Sequence, residues 1–186
     1  MAGGTPLQDL THLSIEKSRM GIRGKRSQFG LGFGERNHTI IGRVKTERLE
    51  RINETLRKLE HPEEGHGRVR PDWETELAYI LQRGGELIPV RVDCDIYVED
   101  RINFLKYAFE LKAPLPNSDQ TKVSKEKIFK LFSMEPMQIN GAFYALPYNP
   151  YVRKEDYGWS FPARWFNMAE DDVVLIGDEF WEKSAG

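Results

Sequence analysis

An α/β fold is predicted for this chain from three observations. Residues 92–112 hold two extended segments that alternate apolar and charged side chains. Two stretches, from Thr46 and from Asp72, carry apolar residues at helical spacing. A lysine-bearing helix then returns after the second extended segment, which is the pattern of a sheet covered by helices.

Composition limits the possibilities. At 186 residues the chain can bury one substantial core, and its length does not argue for two domains. It is 39% hydrophobic and 30% charged, an ordinary globular balance. With 27 basic and 29 acidic side chains the net charge is −2, so any contact with nucleic acid has to come from local lysine and arginine clusters. The single cysteine, Cys94, rules out a disulfide framework. No apolar run is long enough to span a bilayer and no secretory signal is recognisable, so a soluble cytoplasmic protein is expected.

Residues 1–43 form a basic, glycine-rich lead-in: Lys17, Arg19, Arg23, Lys25 and Arg26 are followed by glycines at 30, 32 and 34. No Gly-Lys-Ser/Thr follows, so a nucleotide loop is not expected there. A single domain is expected over 44–186. From Thr46, a residue suited to cap a helix, Leu49, Ile52, Leu56 and Leu59 recur three and four apart. Residues 60–67 read as a linker; its His61 and His66 lack nearby partners for a metal site. Asp72 caps a second helix bearing Trp73, Leu77, Ile80 and Leu81, which stops at Gly84-Gly85. Glu76 on that helix is a candidate acidic contributor to a site in the neighbouring hairpin, against the plainer reading of an exposed carboxylate. Residues 86–91 begin a strand, where Pro89 marks an edge or a bulge.

In the hairpin, Val92, Cys94, Ile96 and Val98 share one face, and Asp93, Asp95 and Tyr97 the other. Tyr107, Phe109 and Leu111 oppose Ala108, Glu110 and Lys112 in the same way. Folded back through Glu99, Asp100 and Arg101, the charged faces coincide. Same-face residues on a strand lie roughly 6–7 Å apart and neighbouring strands about 4.8 Å apart. Carboxylates at that spacing can share one hard cation, and Mg²⁺ suits an oxygen site of this kind. Lys112 adds a proton relay, or a positive charge beside an attacking water. A Glu-x-Lys pair is weak evidence by itself, because such pairs usually form a solvated face. After Lys112, prolines 114 and 116 end the strand, and a polar turn over 117–120 leads into a helix over 124–134. Ile128, Leu131 and Phe132 point inward there. Lys122, Lys125, Lys127 and Lys130 project elsewhere, along a phosphate backbone or simply into solvent. Residues 139–166 are dense in aromatics, interleaved with Arg153, Lys154 and Arg164, and are read mostly as core, with base reading or a dimer face as the alternatives. Residues 142–146 and 173–176 are short strands, and Gly177-Asp178 opens a last helix.

The Asp…Glu-x-Lys arrangement resembles the active site of the PD-(D/E)xK nucleases. The blocks DCDIYVED, FELKAPLPNSDQ, NGAFYALPYNPY, WSFPARWFN and VLIGDEFWEK, in order from residue 93 onward, are similar to the TdeIII/MjaII group of type II restriction endonucleases. The likeness covers the chain from Asp72 onward. It implies a restriction-endonuclease-like core with a mixed central sheet flanked by helices, Mg²⁺ dependence, and cleavage of double-stranded DNA by a homodimer at a short palindrome, with GGNCC the associated site. By motif position Glu110 and Lys112 are the Glu-x-Lys pair, and the metal ligands are Asp95, Glu110 and the Leu111 carbonyl. Asp93 is the alternative first acid; Asp95 is preferred because it opens the Ile-Tyr-Val segment. Members of the group are longer, so a C-terminally shortened chain is expected.

Overall fold

The computed structural model describes residues 32–61, 65 and 67–185. The basic run over 17–26 lies outside them. Five strands form one mixed sheet in the order β1-β2-β3-β4-β5: Gly32–Lys45, Leu87–Asp100, Leu105–Leu111, Gly141–Leu146 and Val174–Ile176. The first three pair antiparallel and the last three parallel. Four helices flank them: α1 (Thr46–Glu60), α2 (Trp73–Leu81), α3 (Ser118–Ser133) and α4 (Asp178–Ala185). This is the mixed, helix-flanked core expected from the sequence.

Several local signals have a visible cause, but Thr46 is the first residue of α1 and not its cap, which is Lys45 without a side-chain bond. Asp72 caps α2 by accepting from the Thr75 amide at 3.1 Å. Gly85 holds φ +93°, and a Cβ there would meet Thr46 Oγ1 at 2.4 Å, so only glycine fits where the chain passes the start of α1. Pro89 is tolerated because β3 pairs with β2 only from Ile96 onward, leaving the Pro89 stretch with β1 alone as its neighbour. The crossover that parallel β3 and β4 require is α3, which starts at Ser118 and not at Ser124. Residues 117–120, expected to be a polar turn, are instead its cap and first turn: Asn117 Oδ1 accepts from the Gln120 amide at 2.8 Å. Part of the glycine-rich lead-in is also structural, since β1 is the edge strand beside β2.

Two apolar clusters lie on the two faces of the sheet. The larger joins Ile52 and Leu56 of α1, Trp73 and Ile80 of α2, and Ile128 and Phe129 of α3 to Ala108 and Tyr144 of the sheet. The smaller packs Phe180 of α4 on Ile96, Val98, Phe109 and Leu111. The hairpin is therefore covered on both sides. On the face of β3 expected to carry charge, Ala108 and Glu110 are buried, with Ser124 and Lys127 of α3 against Glu110.

One irregularity sets the direction of the acids. Val92 and Cys94 belong to the larger core, together with Tyr97, whereas Ile96 and Val98 belong to the smaller one. A strictly alternating strand would keep 92, 94, 96 and 98 together, so the alternation slips by one residue around Asp95. Beside it, between the pairs Arg36↔Ile96 and His38↔Cys94, Asn37 of β1 takes φ +52°, a conformation asparagine tolerates.

Candidate active site

That slip separates the two candidate aspartates, which the sequence put on one face. Asp93 faces outward, accepting from Thr39 Oγ1 at 2.6 Å and from Arg91 Nε at 3.1 Å. Asp95 turns toward β3. Ile96 pairs with Phe109, so the next residues along the ladder are Asp95 and Glu110, and Asp95 Oδ2 accepts from the Leu111 amide at 2.8 Å. Asp95, Glu110 and Lys112 thus come together at the C-terminal end of β3, while Asp93 and Glu76 stay away.

The grouping has a common centre. Lys112 Nζ donates to the Leu111 carbonyl at 3.0 Å and lies 3.5 Å from Asp95 Oδ2 and 3.6 Å from Glu110 Oε2. Oxygens from all three expected ligands therefore surround one positive charge. Among the described residues no three His, Cys, Asp or Glu side chains converge as a metal cage. Two carboxylates and a carbonyl are nevertheless a donor set suited to Mg²⁺, a hard ion that keeps several waters. Lys112 Nζ lies within 3.6 Å of an oxygen from each of the three.

Burial makes the site electrostatically tense. Glu110 is 2% exposed, and burial, followed by the neighbouring Asp95 charge, pushes its carboxyl above the usual range. The charges of Lys112 and of Lys127 on α3 oppose that push, and two α3 residues that sequence reasoning did not place at the site touch the carboxylate. Lys127 Nζ lies 3.1 Å from each Glu110 oxygen, and Ser124 Oγ donates to Oε2 at 3.3 Å. Cys94 nearby is an inert thiol, raised to about 12, chiefly by burial.

The four lysines expected to project from α3 are all engaged within the chain. Lys122 pairs with Glu60 at 2.5 Å, Lys130 with Glu126 at 2.5 Å, and Lys127 with Glu110. Lys125 is fully buried, pairing with Glu76 and donating to the Trp165 carbonyl. Glu76 is thus neither exposed nor part of the site; it holds α2 against α3. Burial raises Glu76 and lowers Lys125.

The aromatic segment shapes the segment that follows Lys112. Tyr157 donates to the Pro114 carbonyl at 2.7 Å and Trp159 to the Pro116 carbonyl at 2.9 Å, while the Lys112 amide is tied to Ala145 of β4 at 3.0 Å. Trp165 and Phe166 are wholly buried. Arg153 is paired with Asp156 at the surface and Lys154 with Glu179.

A family model described as type II restriction endonuclease, HinfI, matches residues 20–186, far more than half of the chain. The chain belongs to the HinfI family of type II restriction endonucleases. No curated protein and no solved structure matches it at a significant level. Membership makes the chain a DNA-binding nuclease, a hydrolase of restriction-modification systems, and agrees with the enzyme class that the sequence blocks pointed to. The family named is HinfI, and the narrower TdeIII/MjaII grouping is not what it specifies. Among the described residues no helix is long and apolar enough to cross a membrane.

Proposed function

We propose that this HinfI-family chain is a Mg²⁺-dependent, site-specific deoxyribonuclease that cuts double-stranded DNA at a short palindrome, acting as a homodimer in the cytoplasm. The observation that carries the reading is the set of Asp95, Glu110 and Leu111 oxygens around the Lys112 ammonium. Those oxygens would hold the ion, which when bound polarises a phosphate and acidifies water. The chain's own residues do the rest. Asp95 is fixed by the Leu111 amide, so its oxygen is aimed before substrate arrives. Lys112, 15% exposed, orients the attacking water or takes its proton, and its charge offsets the negative charge that develops on the phosphate. Burial of Glu110 keeps water from competing for its oxygens. A place near the TdeIII/MjaII group, and with it the interrupted site GGNCC, belongs to the same proposal; the ordered blocks from residue 93 onward support it.

Plasmid digestion in Mg²⁺, with the ends sequenced, tests this. Uniform ends at one repeated short site are expected, abolished by chelation and by Lys112→Ala, with folding and DNA retention kept. DNA retained without scission would indicate a non-catalytic binding module. Scattered ends would indicate a repair nuclease that cuts by structure. A Lys112→Ala chain cutting at the parental rate would refute the site assignment.

A further inference from the structure

The proposed ligands do not account for everything that touches Glu110. Lys127 and Ser124 stand three apart on α3, hence on one face of the helix. Both are aimed at this one carboxylate: Lys127 at 3.1 Å from each oxygen and Ser124 at 3.3 Å from Oε2. Ser124 is fully buried and the Lys127 side chain is 28% exposed. Oε2 is also the oxygen nearest Lys112, at 3.6 Å, and that ammonium also meets Asp95 and the Leu111 carbonyl. Oε2 is therefore held by both Ser124 and Lys127, while Oε1 is held by Lys127.

We propose that Lys127, assisted by Ser124, is a positioning residue that locks the Glu110 carboxylate so that Oε2 faces the cation site, making α3 a working part of the active site. This rests on the metal-dependent reading above. A plainer role is available to the same lysine: neutralising a buried charge. The two roles predict opposite signs. An ammonium that only neutralises Glu110 repels an incoming divalent ion, so its removal tightens metal binding. An ammonium that orients a ligand is an outer-shell support, and losing such supports weakens metal binding about 10–100-fold.

The experiment is a Mn²⁺ titration of the full chain without DNA, followed by the electron paramagnetic resonance signal of the free ion, with folding checked by circular dichroism. Lys127→Met is expected to weaken Mn²⁺ binding by about 10–100-fold, and Lys127→Arg, which keeps a charged donor, to retain most of it. Ser124→Ala leaves the charge unchanged and gives a smaller loss of the same sign, so it carries the test if Lys127→Met fails to fold. Unchanged or tighter binding in Lys127→Met overturns the positioning role, as does unchanged binding in Ser124→Ala when Lys127→Met is unfolded. Asp95→Asn and Glu110→Gln serve as controls. If both bind Mn²⁺ like the parent, the metal reading itself fails and this proposal with it, an outcome distinct from a failure of Lys127 alone.

Discussion

Replacing Lys125 with methionine isolates the contribution of the ion pair that joins α2 to α3. The Lys125 side chain is fully buried and the Glu76 side chain is 12% exposed, and burial already raises Glu76 and lowers Lys125. Methionine preserves most of the apolar stem, which runs near the Phe166 and Phe129 rings, so packing changes little. What changes is that Glu76 is left charged and unpaired. Breaking a buried pair from one side costs about 3–5 kcal/mol. At about 2–4 °C per kcal/mol for a chain of this size, the midpoint should fall by roughly 6–20 °C. Glu76→Gln alone should be costly too, because it strands the ammonium. The double variant should recover most of the loss, since replacing both partners removes both uncompensated charges. Urea unfolding of the four proteins, with a common slope, gives the coupling energy. If the single losses simply add in the double variant, or each is below about 1 kcal/mol, the pair is not the buried couple described here.

Three further outcomes follow from the same geometry. Asp95→Asn should abolish plasmid cleavage while Asp93→Asn leaves it near the parental rate, because only the former faces the Lys112 centre; equal loss in both would contradict the slip around Asp95. Burial holds the Glu110 carboxyl above its unfolded value of 4.5, so between 4.5 and the raised value the folded chain keeps a proton that the unfolded chain has released, and stability at this group falls as pH rises. Glu110→Gln removes that term, so its stability relative to the parent should grow with pH from 4.5 upward; a flat or shrinking difference in unfolding free energy would refute the shift. Asn117→Ala should cost about 1 kcal/mol by denaturant unfolding, the contribution of a helix cap; no loss would mean that residues 117–120 are a turn and not the start of α3.

What could be read from the sequence was whatever depended on local spacing. The apolar recurrences of α1 and α2, the Asp72 cap, and the short runs of β4 and β5 all appear where the pattern puts them. Glu110 and Lys112 were likewise legible, because a two-residue step on a strand fixes their common side. Asp93 and Asp95 were not distinguishable, since the slip between them depends on the neighbouring strand, where Asn37 takes a left-handed conformation. β1 itself gave little signal: glycines interrupt it, and of Ile40 and Ile41 one is buried and the other 69% exposed, so its identity comes from pairing with β2. Lys125 was beyond reach for a different reason. In sequence it looks like Lys122 or Lys130, and it takes Glu76 on another helix, with the Trp165 carbonyl, to make a buried ammonium tolerable.

The roles of α3 then follow from its phase. One step along a helix turns a side chain by about 100°, so Ser124 and Lys125 leave it in different directions while Lys127 returns to the side of Ser124. One direction meets Glu110 of β3, and the other meets Glu76 of α2 and the Trp165 carbonyl. The same helix is therefore oriented by a buried ion pair on one flank and presents its serine and lysine to the site on the other. A helix anchored only by apolar contacts can rotate by a few degrees at small cost, whereas a buried ammonium strongly resists losing its carboxylate. It follows that Lys125→Met should perturb the site indirectly, through the aim of Lys127, even though Lys125 touches none of its residues. Metal affinity lowered in Lys125→Met and restored in the Glu76/Lys125 double variant would reveal that link. Affinity unchanged in a folded Lys125→Met chain would show that the packing of Ile128 and Phe129 sets the phase of α3 unaided.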